Sequence, residues 1–542
     1  MRSENSLVTR VLGNVRLIGP VQKSLLLSLA IMPLFLFVAN RHFHEFMLVQ
    51  YDDSYITYRY AQSLVLGDGL RFNPSDNTNS ASSLLFVLLL SSLNGLTRMP
   101  IEKAATVINV FSLFTLISSV VYLILRRTKS WIAWVASIAV GLSIASFGPL
   151  VYWTLSGMET TFFMAMLGLA TVVAIENSQR KSEVWPPFFI VILALLAITR
   201  VEGVIAATGI GILSALVSHW NVKSTGLSRL TIPVIAPVGA FALQLLFYRA
   251  YYGSLVSDPI YFKEKVRYYA RVPEMAWDSI KGFMLGSAAP FLFLATVGVL
   301  LTFVLLFRSR KFDLSCVLVP GLLIALGLFV LRSPHSDERR YELVLLVPLL
   351  IAVALLFENL LKTKNVSGRL LSLGVFCVFG FYSVSVGLTE SKQIASRTST
   401  YMYVQRARAD AGKWLEKNSP IGSQVVSADI GALSFYNPSN VYLDAAGLAN
   451  RNQLRTVRNR GDVFVTMKNQ APTYLADTVG PDGVTAVETI LSNPLGYYVE
   501  NSGVQTSCPQ LPIFTKDVEL MLPMNPTSIL QIQVSKIFWD KC

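Results

Sequence analysis

The chain has 542 residues, 53% of them hydrophobic and 15% charged, with a mean hydropathy of +0.50. Such a composition excludes a soluble globular protein and such a length exceeds one domain, so the chain reads as a multi-span membrane protein. Of its formal charge of +13, all but one unit sits in the apolar part, because 14 Lys/Arg meet 13 Asp/Glu from residue 388 onward; the excess is a topology signal more than a binding patch for nucleic acid.

A basic stretch with Arg2, Arg10, Arg16 and Lys23 precedes the first apolar run, Ser24 to Asn40. That run lacks a small-residue cleavage site and reads as a retained span. The first outer segment, about 41 to 103, contains "VQYDDSYITYRYAQSLVLGDGLRFNP" at 49 to 74. There Asp52 and Asp53 open an aromatic helix that ends in a Gly-rich turn. One reading has Asp53 or Ser54 capping a helix from Tyr55 while Asp52 is solvated. The other gives the acids a task, since carboxylates are costly beside lipid. The run "SSLLFVLLLSSLNGL" at 82 to 96 is short for a span and suits an interfacial, juxtamembrane helix.

Ten further spans follow, near 104 to 125, 131 to 150, 158 to 175, 184 to 199, 203 to 218, 230 to 250, 286 to 307, 314 to 331, 343 to 357 and 369 to 387. With eleven spans in all, the cytoplasmic pieces hold 17 Lys/Arg against 5 Asp/Glu, and the outer pieces of the membrane half hold 15 against 15. That asymmetry places the N-terminus in the cytoplasm and the C-terminus outside. The loop at 251 to 285 is then a second outer segment. The tail, 388 to 542, forms its own outer domain on a transmembrane domain of 1 to 387. It alternates a helix-like stretch at 403 to 418 with β-like runs at 423 to 428, 440 to 445 and 462 to 467, which suits an α/β cap. Cys316 and Cys377 fall in spans, whereas Cys508 and Cys542 fall in the outer tail, where a disulfide between them can persist. There is no CxxC, P-loop or fixed-period repeat.

The charges collect at the outer ends of the spans: Glu159 in "SGMET", Arg200 and Glu202 in "TRVEG", Lys263 in "YFKEK", and His335, Asp337, Arg339 and Arg340 in "RSPHSDERRYE". Each alone suits an interfacial anchor or an ion pair. Together with Asp52 and Asp53 they describe an outward-facing polar cavity roofed by the loops and the tail. A carboxylate there can take a proton from an acceptor hydroxyl, while cations or a metal ion stabilise a departing phosphate. In the tail, Asp429 in "SADIGALSFY" and Asp444 in "YLDAAGLANR" either cap turns or bind an acceptor hydroxyl, and Tyr436 and Tyr442 either pack or stack on sugars.

In these segments the sequence resembles the GT-C membrane glycosyltransferases, which use polyprenyl-phosphate sugars. It looks most like the group containing the mycobacterial terminal β-(1→2)-arabinofuranosyltransferase. The resembling pieces, in the family's order, are "DDSYITYRYAQSLVLGDGLRFNP", "SGMET", "TRVEG", "YYGSLVSDPIYFKEK", "RRYELVLLVPLL" and "YLDAAGLANR". The resemblance implies a mostly α, polytopic GT-C fold with an extracytoplasmic cap and a catalytic acid in the first outer loop. It makes Asp52 and Asp53 the candidates for base and for metal or acceptor orientation, with Asp52 favoured as base, and the pair permits Mg²⁺ or Mn²⁺. It also gives Arg59, Glu159, Arg200, Glu202, Lys263 and Arg340 as cavity residues. The segment "DNTNSASSLLF" lacks the Glu that relatives often carry before the Thr-Ser pair, and Arg339 and Arg340 sit further upstream of Pro348 than in the family, so donor sugar and acceptor stay open. The expected protein is an inverting glycosyltransferase of the cytoplasmic membrane, acting outside on an envelope glycan, lipid or protein. The alternatives are a lipid-linked glycan transporter and a non-catalytic assembly protein.

Overall fold

Apolar runs that must hide every backbone polar group from lipid fold as helices. The computed structural model bears this out over the residues it describes, which are 19–74, 77–127, 130–178, 185–221, 227–265, 273–309, 314–332, 339–362, 366–498, 504–513, 515–523 and 531–539. The chain order is α1 (Pro20–His42), α2 (Asp52–Leu66), α3 (Leu84–Thr97), α4 (Ile101–Leu125), α5 (Trp131–Ser146), α6 (Gly148–Leu155), α7 (Thr160–Ser178) and α8 (Pro187–Thr199). It continues with α9 (Val201–Asn221), α10 (Leu227–Tyr252), α11 (Asp258–Lys265), α12 (Pro273–Leu285), α13 (Ala289–Ser309), α14 (Leu314–Arg332), α15 (Leu346–Leu360) and α16 (Val366–Asn418).

Each expected span falls on a helix. Among the described residues, seven helices are long and apolar enough to cross a membrane, or nine if each of two bent pairs is one span. The bent pairs are α5 with α6, at 58°, and the ends of α12 and α13 that meet at 83°. Helix α8 and the apolar stretch Val317–Leu331 of α14 are shorter, so the expected eleven exceeds what length and composition alone support. The span Glu342–Leu360, which includes α15, is 89% buried and forms the centre of the bundle, whereas α10 is 11% buried and leaves its apolar surface to lipid. The juxtamembrane run at 82 to 96 is α3, whose cap Ser83 accepts the Phe86 N–H at 3.3 Å.

Helix α16 is 53 residues long, roughly 80 Å at 1.5 Å per residue. It passes without a break through the expected domain border at 387 and 388 and carries the cap on its far end. The cap follows as β1 (Gln424–Ser427), α17 (Gly431–Phe435), β2 (Val441–Asp444), α18 (Arg451–Arg458), α19 (Val463–Asn469), β3 (Tyr474–Val479), α20 (Ala486–Ser492), α21 (Pro494–Tyr497), β4 (Thr515–Pro523) and β5 (Gln531–Phe538). The sheet order is β2-β1-β3-β5-β4, with β2, β1 and β3 parallel and β5 and β4 antiparallel. The β-like run at 462 to 467 is a correction: it is α19, because Asp462 caps it by accepting the Val465 N–H at 2.9 Å.

Candidate active site

The two acids that open α2 have opposite environments. The helix starts at Asp52 with Tyr51 at its N-cap and no side-chain cap, so neither Asp53 nor Ser54 does the capping expected of it. Successive residues of a helix point about 100° apart. Asp52 therefore turns into the cap domain, where its carboxylate accepts the backbone N–H groups of Gly431 at 3.3 Å and Ala432 at 3.0 Å. Arg408 Nη1 stands 4.0 Å away, and Arg408 also pairs with Asp429. The Gln405 amide, oriented with its nitrogen toward Asp52, donates to Oδ1 at 3.0 Å and accepts from Arg408 and Tyr401. Gly431 permits this docking, since a Cβ there would lie 2.6 Å from the Asp52 Cγ. Asp53 keeps a side chain 46% exposed, with Arg340 Nη1 at 4.0 Å. The oxygens of Asp52 are thus engaged by cap N–H groups, whereas those of Asp53 stand open beside Arg340.

Glu159 organises the cations beside Asp53. It follows a turn at Gly157, whose φ of +83° suits glycine and where any Cβ would meet Tyr58 and Gln50. The carboxylate is 1% exposed. Its Oε1 accepts from Arg340 Nη2 at 2.9 Å, Arg200 Nη1 at 3.0 Å and Ser82 Oγ at 3.2 Å. Arg200 sits at the break between α8 and α9 and also donates to Glu202 Oε1 at 2.5 Å. Its guanidinium faces the Phe163 and Tyr341 rings, and that of Arg340 faces Trp153 and Tyr341. Burial alone would raise the Glu159 pKa, but Arg340 and Arg200 outweigh it and hold the group below the usual carboxylate range. Asp53, Ser82, Glu159, Arg200, Glu202 and Arg340 therefore form one cluster of ion pairs and hydrogen bonds where several helices end.

Other expected site residues have different placements. Arg59 is 2% exposed and spends its donors on the carbonyls of Phe72, Ser434, Pro438 and Asn440, so it straps α2 to the cap instead of lining a cavity. Asp444 is 1% exposed and accepts the N–H groups of Ala446 and Ala449, which makes it the organiser of a turn. Asp429 is occupied by Arg408, with its side chain 38% exposed. Tyr442 is buried with its hydroxyl bonded by Asn437, and Tyr436 donates to Glu102, so both pack. Arg339 turns away from Glu159 toward Gly282 and Ser287. Lys263 lies in α11, but its side chain is outside the described residues, as are His335, Asp337 and Cys542. Cys508 is buried and disulfide-bonded. For a divalent ion the fit is poor: Asp52 is committed to backbone N–H donors, and no three His, Cys, Asp or Glu gather among the described residues. Arg408, Gln405 and Tyr401, which brace Asp52, carry no local sequence signal of a role.

The buried acids set a pH dependence for the docked cap. Burial pushes Asp52 and Asp444 up to about 6 and, with help from Asp429, Asp477 up to about 7. Their unfolded values lie near 3.9. Between that value and about 7 the folded state holds more protons, so stability is fully present below about pH 4 for these groups and is lost as pH rises to 7. We expect the thermal midpoint of cap unfolding to be higher at pH 5 than at pH 8, read from cap-specific proteolysis in detergent. An unchanged or rising midpoint from pH 5 to pH 8 would contradict the assignment.

No curated protein sequence matches the chain. A domain family of unknown function, DUF8728, matches residues 393–515, the end of α16 and most of the cap. By structure, the chain is similar to ArnT from Cupriavidus metallidurans bound to undecaprenyl phosphate, with a TM-score of 0.55 and 13% identity over 94% of this chain and 97% of that one. It is also similar to the apo oligosaccharyltransferase of Archaeoglobus fulgidus, at a TM-score of 0.51 and 11% identity over 95% of this chain and 74% of that one. The same enzyme tethered to an acceptor peptide with an NVT sequon gives 0.53 and 10%, with the same coverage. At these identities the likeness shows the fold, a polytopic GT-C-like bundle with a mixed α/β cap. The finer resemblance to an arabinofuranosyltransferase group is not supported by these likenesses and rests on the sequence motifs.

Proposed function

We propose that the chain is an inverting glycosyltransferase that moves a sugar from a polyprenyl-phosphate donor to a hydroxyl of an envelope glycan, lipid or protein outside the cytoplasmic membrane. One observation carries the reading: an open carboxylate, Asp53, stands beside a buried, charge-locked arginine, Arg340, at one end of a GT-C-like bundle. In the step, Asp53 takes the acceptor proton as the hydroxyl oxygen bonds to the sugar C1. The bond from C1 to the phosphate oxygen breaks, and the electron pair leaves with the polyprenyl phosphate. A phosphate is already a competent leaving group, so no protonating acid is needed and one base suffices, unlike the acid and base pair of an inverting glycosidase. Arg340, fixed by Glu159 and the Trp153 and Tyr341 rings, faces the developing charge with little reorganisation.

Two observations support an outside location. The basic excess falls on the opposite ends of the helices from Asp53, and Cys508 of the cap is disulfide-bonded. The reading is tested by incubating the purified chain in nanodiscs with a panel of polyprenyl-phosphate sugars, decaprenyl-phosphoarabinose among them, and a cell-envelope extract. Release of free polyprenyl phosphate coupled to labelled acceptor is the expected result. Donor that is bound or translocated but never cleaved would favour the transporter reading instead.

A further inference from the structure

Ten residues of the cap, Arg451 to Arg460, carry four arginines and no acid. With those four set aside, the 14 Lys/Arg of the tail fall to 10 against 13 Asp/Glu, so the run is a positive island on an otherwise acidic domain. Arg451, Arg455 and Arg458 lie at i, i+4 and i+7 of α18, hence on one flank, while Gln453, Leu454 and Val457 are buried on another. Like charges at these spacings repel, and Arg451 opens the helix, where the N–H groups disfavour a cation. Arg451 is compensated: it donates to the Tyr252 carbonyl at the end of α10 and stands 3.9 Å from Asp258. Arg455 and Arg458 are exposed, and no carboxylate among the described residues pairs with either; Arg458 lies 4.2 Å from the centre of the Tyr261 ring of α11. All three arginines act on Asp258, which is 4% exposed: burial pushes its carboxyl up, and the Asn79 N–H, then Arg451, Arg458 and Arg455, work against it. One acid therefore meets three guanidiniums.

A short piece of chain links this flank to the cluster around Glu159. Asp258 exchanges hydrogen bonds with the Asn79 backbone, at 2.8 Å in each direction. Ser80 Oγ donates to the carbonyl of Leu448, three residues before α18, at 2.9 Å, and Ser82 donates to Glu159. The three residues from Asn79 to Ser82 span at most about 10 Å. An extended acceptor whose hydroxyl meets Asp53 can therefore lay its next units against the arginine flank. The flank sits on the cap, whereas the arginine beside Asp53 that suits the donor phosphate, Arg340, belongs to the bundle. Arginine's planar fork matches carboxylate and phosphate oxygens.

Resting on the transferase reading above, we propose that the α18 flank recognises the acceptor, and that the acceptor is an anionic glycan whose carboxylate or phosphate groups pair with Arg455 and Arg458. Arg451 is the anchor that holds the flank on α10 and α11. The reacting hydroxyl then lies near a charged unit of the glycan, and a neutral glycan binds less tightly.

The test uses the full chain in phosphatidylcholine nanodiscs and measures binding of a fluorescent oligogalacturonate, with a maltooligosaccharide of the same length as the neutral probe. Wild type is expected to prefer the anionic probe about tenfold, with an affinity that falls as salt rises. Arg455→Gln with Arg458→Gln is expected to weaken that binding about tenfold, the worth of two solvent-facing charge contacts, and Lys at both positions to restore part of it. Arg455→Gln alone, which breaks no ion pair within the protein, is expected to melt as wild type does and to lose about threefold. Lys413→Gln with Lys536→Gln, the same loss of charge elsewhere in the tail, should leave binding unchanged. Equal binding of both probes by wild type, or equal losses in the two double variants, overturns the flank as an acceptor site. Binding needs no turnover, so the two readings separate. Anionic probe held through Arg455 and Arg458 without any donor cleavage supports the surface and counts against the transferase alone. Transfer whose KM for the acceptor is unmoved in the Arg455 and Arg458 double variant overturns the surface alone. A last arm adds phosphatidylglycerol to the nanodiscs and reads lipid retention by native mass spectrometry. Phosphatidylglycerol retained through the two arginines, with the glycan unbound, overturns the glycan in favour of a lipid headgroup; lipid retention unchanged in the double variant supports the glycan.

Discussion

Replacing Asp53 by Asn is expected to lower sugar transfer by about 10²- to 10⁴-fold, the usual worth of a general base, while the thermal midpoint stays within error of wild type. Asn keeps the size and the hydrogen-bonding oxygen but cannot accept the acceptor's proton. The side chain is 46% exposed and its ion-pair partner among the described residues, Arg340, is 4.0 Å away, so little folding energy depends on it. The loss belongs in kcat, with KM for the donor nearly unchanged, because the interaction is made only as the proton moves. Asp52→Asn gives the opposite pattern. Its carboxylate accepts two cap N–H groups beside Arg408, so the substitution loosens the cap and costs about 1 to 3 kcal/mol, with a smaller loss of turnover. Initial rates of polyprenyl-phosphate release and melting curves on the two variants separate base from brace. Turnover intact in Asp53→Asn and abolished in Asp52→Asn would return the catalytic role to Asp52.

The contrast between these neighbours marks the limit of what the sequence discloses. Spans are legible because lipid imposes a local rule: a run such as Ile101–Leu125 must be apolar and helical whatever packs on it. The cap strands Gln424–Ser427 and Val441–Asp444 are legible for a similar reason, short apolar runs bounded by turn residues. At 462 to 467 the same apolar pattern misleads, because a single capping aspartate decides for helix. The gathering of Glu159, Arg200, Glu202 and Arg340 is foreshadowed by their common place at span ends. Which of two adjacent acids is free is not foreshadowed at all. It is settled by backbone N–H groups of Gly431 and Ala432, about 380 residues away, and no local pattern encodes that approach. Arg59 shows the same thing: the resemblance gives it as a cavity residue, and nothing local announces the four carbonyls around it, three of them in the cap.

Glu159→Ala is expected to be the most destabilising single change in the cluster, by about 3 to 5 kcal/mol, because it strips a shared counter-charge from two buried arginines. The two do not suffer equally. Arg200 retains Glu202 at 2.5 Å, whereas Arg340 is left with Asp53 at 4.0 Å as its remaining acidic partner within ion-pair distance among the described residues. The uncompensated guanidinium then turns toward Asp53 and occupies the oxygens that have to meet the acceptor hydroxyl. Glu159→Gln separates the two effects, since the amide fills the space and its oxygen still accepts from one arginine. It should melt closer to wild type yet lose turnover, because Arg340 loses the charge that fixes it in place for the departing phosphate. The double variant Glu159→Ala with Arg340→Met should melt above Glu159→Ala alone, because removing the stranded charge relieves part of the cost. Strict additivity of the two substitutions would mean that Arg340 is held by its aromatic neighbours and not by Glu159, and the charge-locked arginine would then have to be abandoned as the feature that prepares the site for a departing phosphate.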